Sequence, residues 1–322
     1  MAISRALITG ISGFAGRHLA RALQRRDIHV RGFTLAAGGD PEFAAITSYG
    51  DITDADSVAA AMRTHPPDVV FHLAALAATG GAWQQRRKVF EVNALGTGAC
   101  MEAVAAAAPG ARVVLVSSGL VYGDVAAADQ PVTEDHALAP AGPYAVSKAC
   151  AELLATEFSR SHDIDLVTVR PFNFTGPGQG PGFVSADFSR QIARIEAGLA
   201  APQIGVGNLT AERDFTDVRD FAQGLVAAAL RGDRGGTYNL CSGEGTPIQR
   251  VLDFLLEAST VAIEVHPDPD RMRPADVPRF TGDNRRAAEA LGWQPRIPLR
   301  QTLEETLDWW RARVRPESSG DA

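Results

Sequence analysis

Three glycines at a spacing of three, in Gly10-Ile11-Ser12-Gly13-Phe14-Ala15-Gly16, follow the apolar run 6–9 directly. They open residues 14–26, a segment with the apolar period of a helix. A chain that must pass from strand to helix through so small a turn has few folds open to it. The first glycine permits the tight turn, and the bare second lets the backbone approach a pyrophosphate. The third lets the helix pack closely on the sheet. The helix start supplies free N–H groups and a partial positive charge. Gly10, Ser12, Gly13, Phe14 and Gly16 are therefore expected to cradle a dinucleotide.

The rest of the first half repeats this alternation. Apolar strands are expected at 28–33, 68–73, 112–117 and 165–170. Helices are expected at 54–63, capped by Thr53, at 83–107, which is rich in alanine, and at 144–162. Strands that are almost wholly apolar and alternate with helices predict a parallel sheet covered on both faces. The fold class is α/β: a Rossmann-type doubly wound parallel sheet with a smaller C-terminal α/β substrate lobe. The division is 1–170 for the dinucleotide lobe and 171–315 for the substrate lobe, with room for the chain to cross between them. Residues 316–322 read as a frayed tail. The Gly- and Pro-rich stretch 171–182 reads as an irregular functional loop. Helices at 183–197, 218–230, 248–257 and 299–314, with a short strand at 237–240, complete the second lobe.

Composition removes several function classes. The chain has 322 residues, 45% of them hydrophobic, and a net charge of -7, which argues against a nucleic-acid footprint. Cys100, Cys150 and Cys241 have no paired spacing, so neither a metal site nor a disulfide framework is expected. No apolar run is long enough to span a membrane, and the N-terminus lacks the pattern of a secretory leader. A reducing cytoplasm is the expected compartment.

Tyr144 and Lys148 lie four residues apart, on one face of the helix expected there. A free tyrosine is a poor base at neutral pH, and a neighbouring ammonium is expected to lower its pKa. The pair can then exchange a proton with a substrate hydroxyl or carbonyl while hydride moves at carbon. Further signals flank the cradle. Asp51-Ile52 follows a short strand and can reach an adenine. Leu73-Ala74-Ala75 offers small residues where a cofactor must pass close, and His72 reads as a packed strand residue. The second strand ends at Thr34 with neither the acid that binds a ribose 2′-hydroxyl nor an arginine for a 2′-phosphate. This tilts the expectation from NAD(H) toward NADP(H).

Taken together, these residues resemble the extended short-chain dehydrogenase/reductase family, in its nucleotide-sugar branch. The second half carries the more specific motifs: Arg170-Pro171-Phe172-Asn173, Gln179, the run 213–220, Tyr238-Asn239-Leu240-Cys241-Ser242-Gly243, and the run 270–277. The set is most similar to the GDP-4-keto-6-deoxy-D-mannose reductases, relatives of GDP-mannose 4,6-dehydratase. The resemblance implies a third catalytic residue, Ser118, which would hydrogen-bond the sugar oxygen that Tyr144 protonates. It also implies that Asn93 helps hold the active-site helix, and that Ser117 and Pro171 join the cofactor set. By the same resemblance Asn173 would contact the diphosphate region and Arg213 and Arg273 the phosphates or nucleotide ribose, since a planar guanidinium suits phosphate, and Gln179 joins the substrate-binding set. The 4,6-dehydratases carry an acid/base carboxylate two places after the catalytic Ser/Thr, where this chain has Leu120. Dehydration is therefore not expected, whereas 4-keto reduction needs only Ser118, Tyr144 and Lys148. A 4-epimerase that retains NAD is the alternative, and a non-catalytic dinucleotide-binding regulator ranks below it. The family also implies a homodimer through a four-helix interface built from the helices at 83–107 and 144–162.

Overall fold

The computed structural model describes residues 3–35, 41–77, 83–271 and 277–314. Strand β1 (Arg5–Thr9) points Ala6 and Ile8 into one apolar cluster and Leu7 into another, as a period of two requires. Helix α1 (Phe14–Gln24) adds Leu19 and Leu23 to the first cluster. After β2 (His29–Thr34) and β3 (Thr47–Tyr49), helix α2 (Ala55–Thr64) adds Val58 and Met62 to the second. Its cap is Asp54, whose carboxylate accepts from the Asp56 and Ser57 amides, rather than the expected Thr53. Thr53 is used instead in a turn with Asp51.

Strand β4 (Val69–His72) is buried throughout. The single helix expected at 83–107 is broken into α3 (Arg86–Phe90), a π turn (Glu91–Leu95) and α4 (Gly96–Ala107). Next come β5 (Arg112–Val116), α5 (Gly142–Ser161) and β6 (Asp165–Pro171). A short strand, β7 (Asn173–Thr175), lies inside the stretch expected to be irregular. Then follow α6 (Val184–Glu196), β8 (Gln203–Val206), β9 (Glu212–Asp217), α7 (Val218–Arg231) and β10 (Thr237–Leu240). The remainder is β11 (Gly245–Pro247), α8 (Ile248–Glu257), β12 (Glu264–Pro267), β13 (Arg279–Phe280), α9 (Arg285–Leu291) and α10 (Leu299–Arg311).

The seven-stranded central sheet runs β10-β6-β5-β4-β1-β2-β3, with every pairing parallel. Helices α1 and α7 pack on one face, and α2, α4 and α5 on the other. The chain thus returns to this sheet after β9 to lay down α7 and β10. Strand order reverses between β1 and β4, so a crevice opens at their carboxyl ends, where such folds bind ligands. A four-stranded sheet (β11-β9-β13, with β7 also on β9) and a two-stranded pair (β12-β8) lie beyond it. The helices α6, α8 and α10 have an apolar cluster of their own, which includes Phe188, Leu252 and Leu303. No helix among the described residues is long and apolar enough to cross a membrane.

Candidate active site

The crevice between β1 and β4 brings the glycine turn against the loop after β4. Gly10 has φ +76°, and a Cβ there would lie 2.9 Å from the Ala74 amide nitrogen. A Cβ on Gly16 would run into the Gly10 carbonyl and the Ile11 backbone, so α1 can approach β1 only without one. Gly13 differs: an added Cβ there would meet only the Gly10 carbonyl, at 3.1 Å. The residue is exposed and begins α1 with no side-chain cap and no acid in the first turn. The free amides at this helix start therefore face an open edge. Ser12 Oγ and Thr34 Oγ1 meet at 2.6 Å and tie the turn to the end of β2. Ser117, at the end of β5, has a buried hydroxyl without a hydrogen-bond partner among the described residues. An open anion-favouring helix start after β1, and a partnerless hydroxyl after β5, fit a dinucleotide. Leu73, Ala74 and Ala75 line the same crevice, half-buried, and Ile52 lies buried against Gly96. Pro171 ends β6, buried. One oxygen of Asp51 is taken by the amide and hydroxyl of Thr53, which holds the carboxyl below its usual range.

Ser118 lies two residues beyond β5 and starts the 3-10 turn Gly119–Tyr122, its Oγ accepting from the Leu120 amide at 3.2 Å. Tyr144 and Lys148 occupy the first turns of α5, which Pro143 helps to start. Burial pushes the Tyr144 phenol up to about 12, and the Ser118 side chain is the group that draws it back. That corrects the expected lowering by Lys148: desolvation of the phenolate outweighs any help from the ammonium. Lys148 Nζ instead donates to the Val116 carbonyl at 2.5 Å. Burial brings its pKa down to about 8, against the charge of Glu152. The site thus holds a protonated phenol next to a buried ammonium close to its titration point.

The π turn explains how Asn93 joins the site. Its Oδ1 accepts from the Leu76 amide at 2.8 Å, and its Nδ2 donates to the Leu76 carbonyl and to Ser147 Oγ. Ser147 Oγ in turn donates to the Tyr144 carbonyl at 2.7 Å. Asn93 therefore braces the loop after β4 against the start of α5. A second chain of fixed polarity lies beneath it. The Ala74 amide donates to Thr9 Oγ1, and Thr97 Oγ1 donates to the Asn93 carbonyl. Between the two hydroxyls, His72 meets Thr9 through Nδ1 and Thr97 through Nε2. These donors leave Nδ1 to accept and Nε2 to carry the proton. Burial brings His72 down to about 3, so it is neutral packing rather than an acid or base.

The residues expected to bind substrate are less gathered. Asn173 is exposed on β7, which pairs with β9, the strand that carries Arg213. Arg213 Nη1 donates to the Val277 carbonyl at 2.7 Å. Gln179 is buried, with Oε1 accepting from Thr175 and Ser185 and Nε2 donating to the Phe174 carbonyl. Its amide is thus spent within its own loop. Arg273 lies outside the described residues. The exposed Leu120 stands two residues beyond Ser118.

Sequence reasoning did not single out the buried cluster behind Ser118. Arg170 grips the Glu152 carboxylate with Nε and Nη2, at 3.0 and 2.7 Å, and donates from Nη1 to Tyr122 Oη at 3.1 Å. Tyr122 Oη donates to Asn239 Oδ1 at 2.7 Å. One signal for Lys148 also went unread. The chain holds 29 arginines and only two lysines, Lys88 and Lys148. A lysine can release its proton at an accessible pH, whereas an arginine cannot.

Residues 7–306 match the family described as GDP-mannose 4,6 dehydratase. The chain belongs to this family. It lies within the nucleotide-sugar branch of the extended short-chain dehydrogenases/reductases. It is 34% identical over 313 residues to the GDP-6-deoxy-D-mannose reductase of Pseudomonas aeruginosa, covering 97% of this chain and 99% of that one. The structure of RMD from Pseudomonas aeruginosa complexed with NADPH superposes with a TM-score of 0.86 at 34% identity, over 97% and 100% of the two chains. The Thermus thermophilus UDP-glucose 4-epimerase in complex with NAD gives 0.85 at 29% identity, over 96% and 100%.

Proposed function

We propose that this protein reduces the C4 keto group of a GDP-4-keto-6-deoxyhexose with NADPH. The observation that carries the reading is the placement of Ser118, at the start of its 3-10 turn, and of Tyr144 and Lys148, one turn apart at the start of α5, with the phenol pushed up by burial. A phenol so held is a proton donor in its resting state, as carbonyl reduction needs. Ser118 orients the carbonyl oxygen, and Tyr144 Oη gives it a proton as negative charge develops there. Lys148 supplies a positive charge beneath that oxygen, and Asn93 fixes α5 at the distance the transfer requires. When bound, the nicotinamide supplies the hydride. The amides at the start of α1 would hold its pyrophosphate, with Gly13 leaving room for it.

The name of the Pseudomonas relative supports a GDP-linked 6-deoxy sugar. Leu120 argues against dehydration, because a leucine side chain can move no proton at C5 or C6. The similarity to a UDP-glucose 4-epimerase supports a second reading, a 4-epimerase, since the same three side chains serve both reactions. In either case the central sheet would hold the cofactor and the C-terminal lobe the sugar nucleotide. A cytoplasmic homodimer completes the proposal. Leu95 and Leu153, 62% and 67% exposed on the π turn and α5, are apolar surface for a second copy. Most of α4 is already covered by α2 and α5 within one chain.

The deciding experiment is analysis of the nucleotide that co-purifies, before and after incubation with GDP-4-keto-6-deoxymannose. An exchangeable site that oxidises NADPH only when the keto-sugar is added supports the reductase. Stoichiometric NAD that survives purification, with no net NADPH consumption, would replace it with the epimerase.

A further inference from the structure

We propose that Arg170 and Glu152 form a positioning clamp that sets the geometry of Ser118 against Tyr144 and holds Lys148 as an ammonium. The clamp rests on the proton-transfer role assigned above to those three residues.

Its geometry is specific to the two elements that carry them. Glu152 lies one turn after Lys148 on α5, and Tyr122 closes the 3-10 turn that Ser118 starts. Among the described residues, Arg170, near the end of β6, is the one whose side chain is bonded to both. Two of its nitrogens hold the Glu152 carboxylate, and the third reaches Tyr122 Oη and, at 3.3 Å, the Glu134 carbonyl. The guanidinium also lies over the Tyr122 ring, 5.0 Å from its centroid. Both partners of the ion pair are buried, with side chains 8% and 7% exposed. The planar fork fixes angle as well as distance, so it ties the Ser118 turn to α5 as a hinge pin would.

The far side of the cluster is equally committed. Tyr122 donates to Asn239 Oδ1, and the Asn239 amide donates to Glu134 Oε1 at 2.8 Å. Asn239 Nδ2 donates to the Val132 carbonyl, and Arg286 reaches Glu134 Oε2 at 3.5 Å. The clamp is thus anchored through β10 to α9 and cannot swing with α5 alone.

The second half of the proposal concerns charge. Among the described residues, Glu152 acts on Lys148 from one turn further along α5 and His72 on β4 feels its charge, while Tyr144 lies one turn before it. Of these, Glu152 is the anion that favours the ammonium against burial. His72 is neutral and feels the Lys148 charge as repulsion. Losing the Glu152 charge should therefore release the Lys148 proton at a lower pH.

Because the chain has two lysines, lysine-selective isotope labelling gives two side-chain NMR signals, with the exposed Lys88 as an internal control. The test uses Glu152→Gln and the double variant Arg170→Met with Glu152→Met. The double change replaces both members of the ion pair with apolar side chains, so neither charge of the pair is left without its partner. We expect the Lys148 signal of Glu152→Gln to titrate at lower pH than in the unaltered protein. The alkaline limb of its pH–rate profile should move the same way. The double variant should keep its melting temperature and NADPH affinity and lose about 100-fold in kcat, as a misplacement near 1 Å does. A folded Glu152→Gln with an unmoved Lys148 titration, or a folded double variant with unchanged kcat, would overturn the clamp. If the double variant fails to fold, the Glu152→Gln titration decides alone. Unchanged turnover in Tyr144→Phe would instead sink the functional reading, and the NMR titration, which needs no turnover, would still report on the clamp.

Discussion

Two polar clusters meet at Ser118, and they differ in how completely they are satisfied. Behind it, Arg170, Glu152, Tyr122 and Asn239 are buried, and each is engaged by hydrogen bonds within the cluster. In front, Ser117 has a hydroxyl with no partner among the described residues, Gly13 opens the start of α1, and Lys148 carries a charge that burial disfavours. A fully satisfied buried network is rigid, because every move breaks a bond that water cannot replace. An incomplete one has capacity left for a ligand. The contrast teaches where to expect chemistry: at the unsatisfied side, held in register by the satisfied one.

Changes on the two sides should therefore fail in different ways. Ser118→Ala removes a donor to the reacting oxygen and should lower kcat by about 10²–10³, with melting temperature little changed. A matching loss of stability would place Ser118 with the rigid cluster instead. Tyr122→Phe leaves Arg170 Nη1 and Asn239 Oδ1 each short of a partner. It should cost about 1–3 kcal/mol in denaturant unfolding, more than it costs cofactor affinity. Gly13→Val fills the open edge of the cradle. It should weaken NADPH binding about tenfold, or about 1.4 kcal/mol, while the fold stays intact. The smallest change is in pH alone. Lys148 titrates at about 8 in the folded protein, so its ammonium is present below that pH and lost as pH rises through it. Reductive turnover should fall across that window, with NADPH binding measured in parallel to separate the two. A flat profile to pH 10 would remove Lys148 from the mechanism.

The front of the site was largely legible in the sequence, because its signals are local. The glycine turn needs only neighbours to declare itself, and Tyr144 and Lys148 share a helix face by spacing. The back was not, because a buried Arg170 looks like any residue near a strand end until Glu152 and Tyr122 are folded onto it. The strands β7, β9, β11 and β13 escaped for a related reason. They are two to six residues long and pair across wide gaps in sequence, as Asn173 with Phe215 and Arg279 with Glu212. The helix cap went to Asp54 rather than Thr53 because the Asp51 turn had already claimed Thr53. The direction of the Tyr144 shift was misjudged because sequence shows charges and hides burial, and here burial is the larger effect.

The most direct test of the central claim is Tyr144→Phe, with keto-sugar-dependent NADPH oxidation and NADPH affinity measured on one preparation. The account predicts NADPH affinity within about twofold of the unaltered protein, and turnover reduced by about 10²–10⁴, the range for a lost general acid. Turnover at the original rate, with cofactor bound as before, would contradict it.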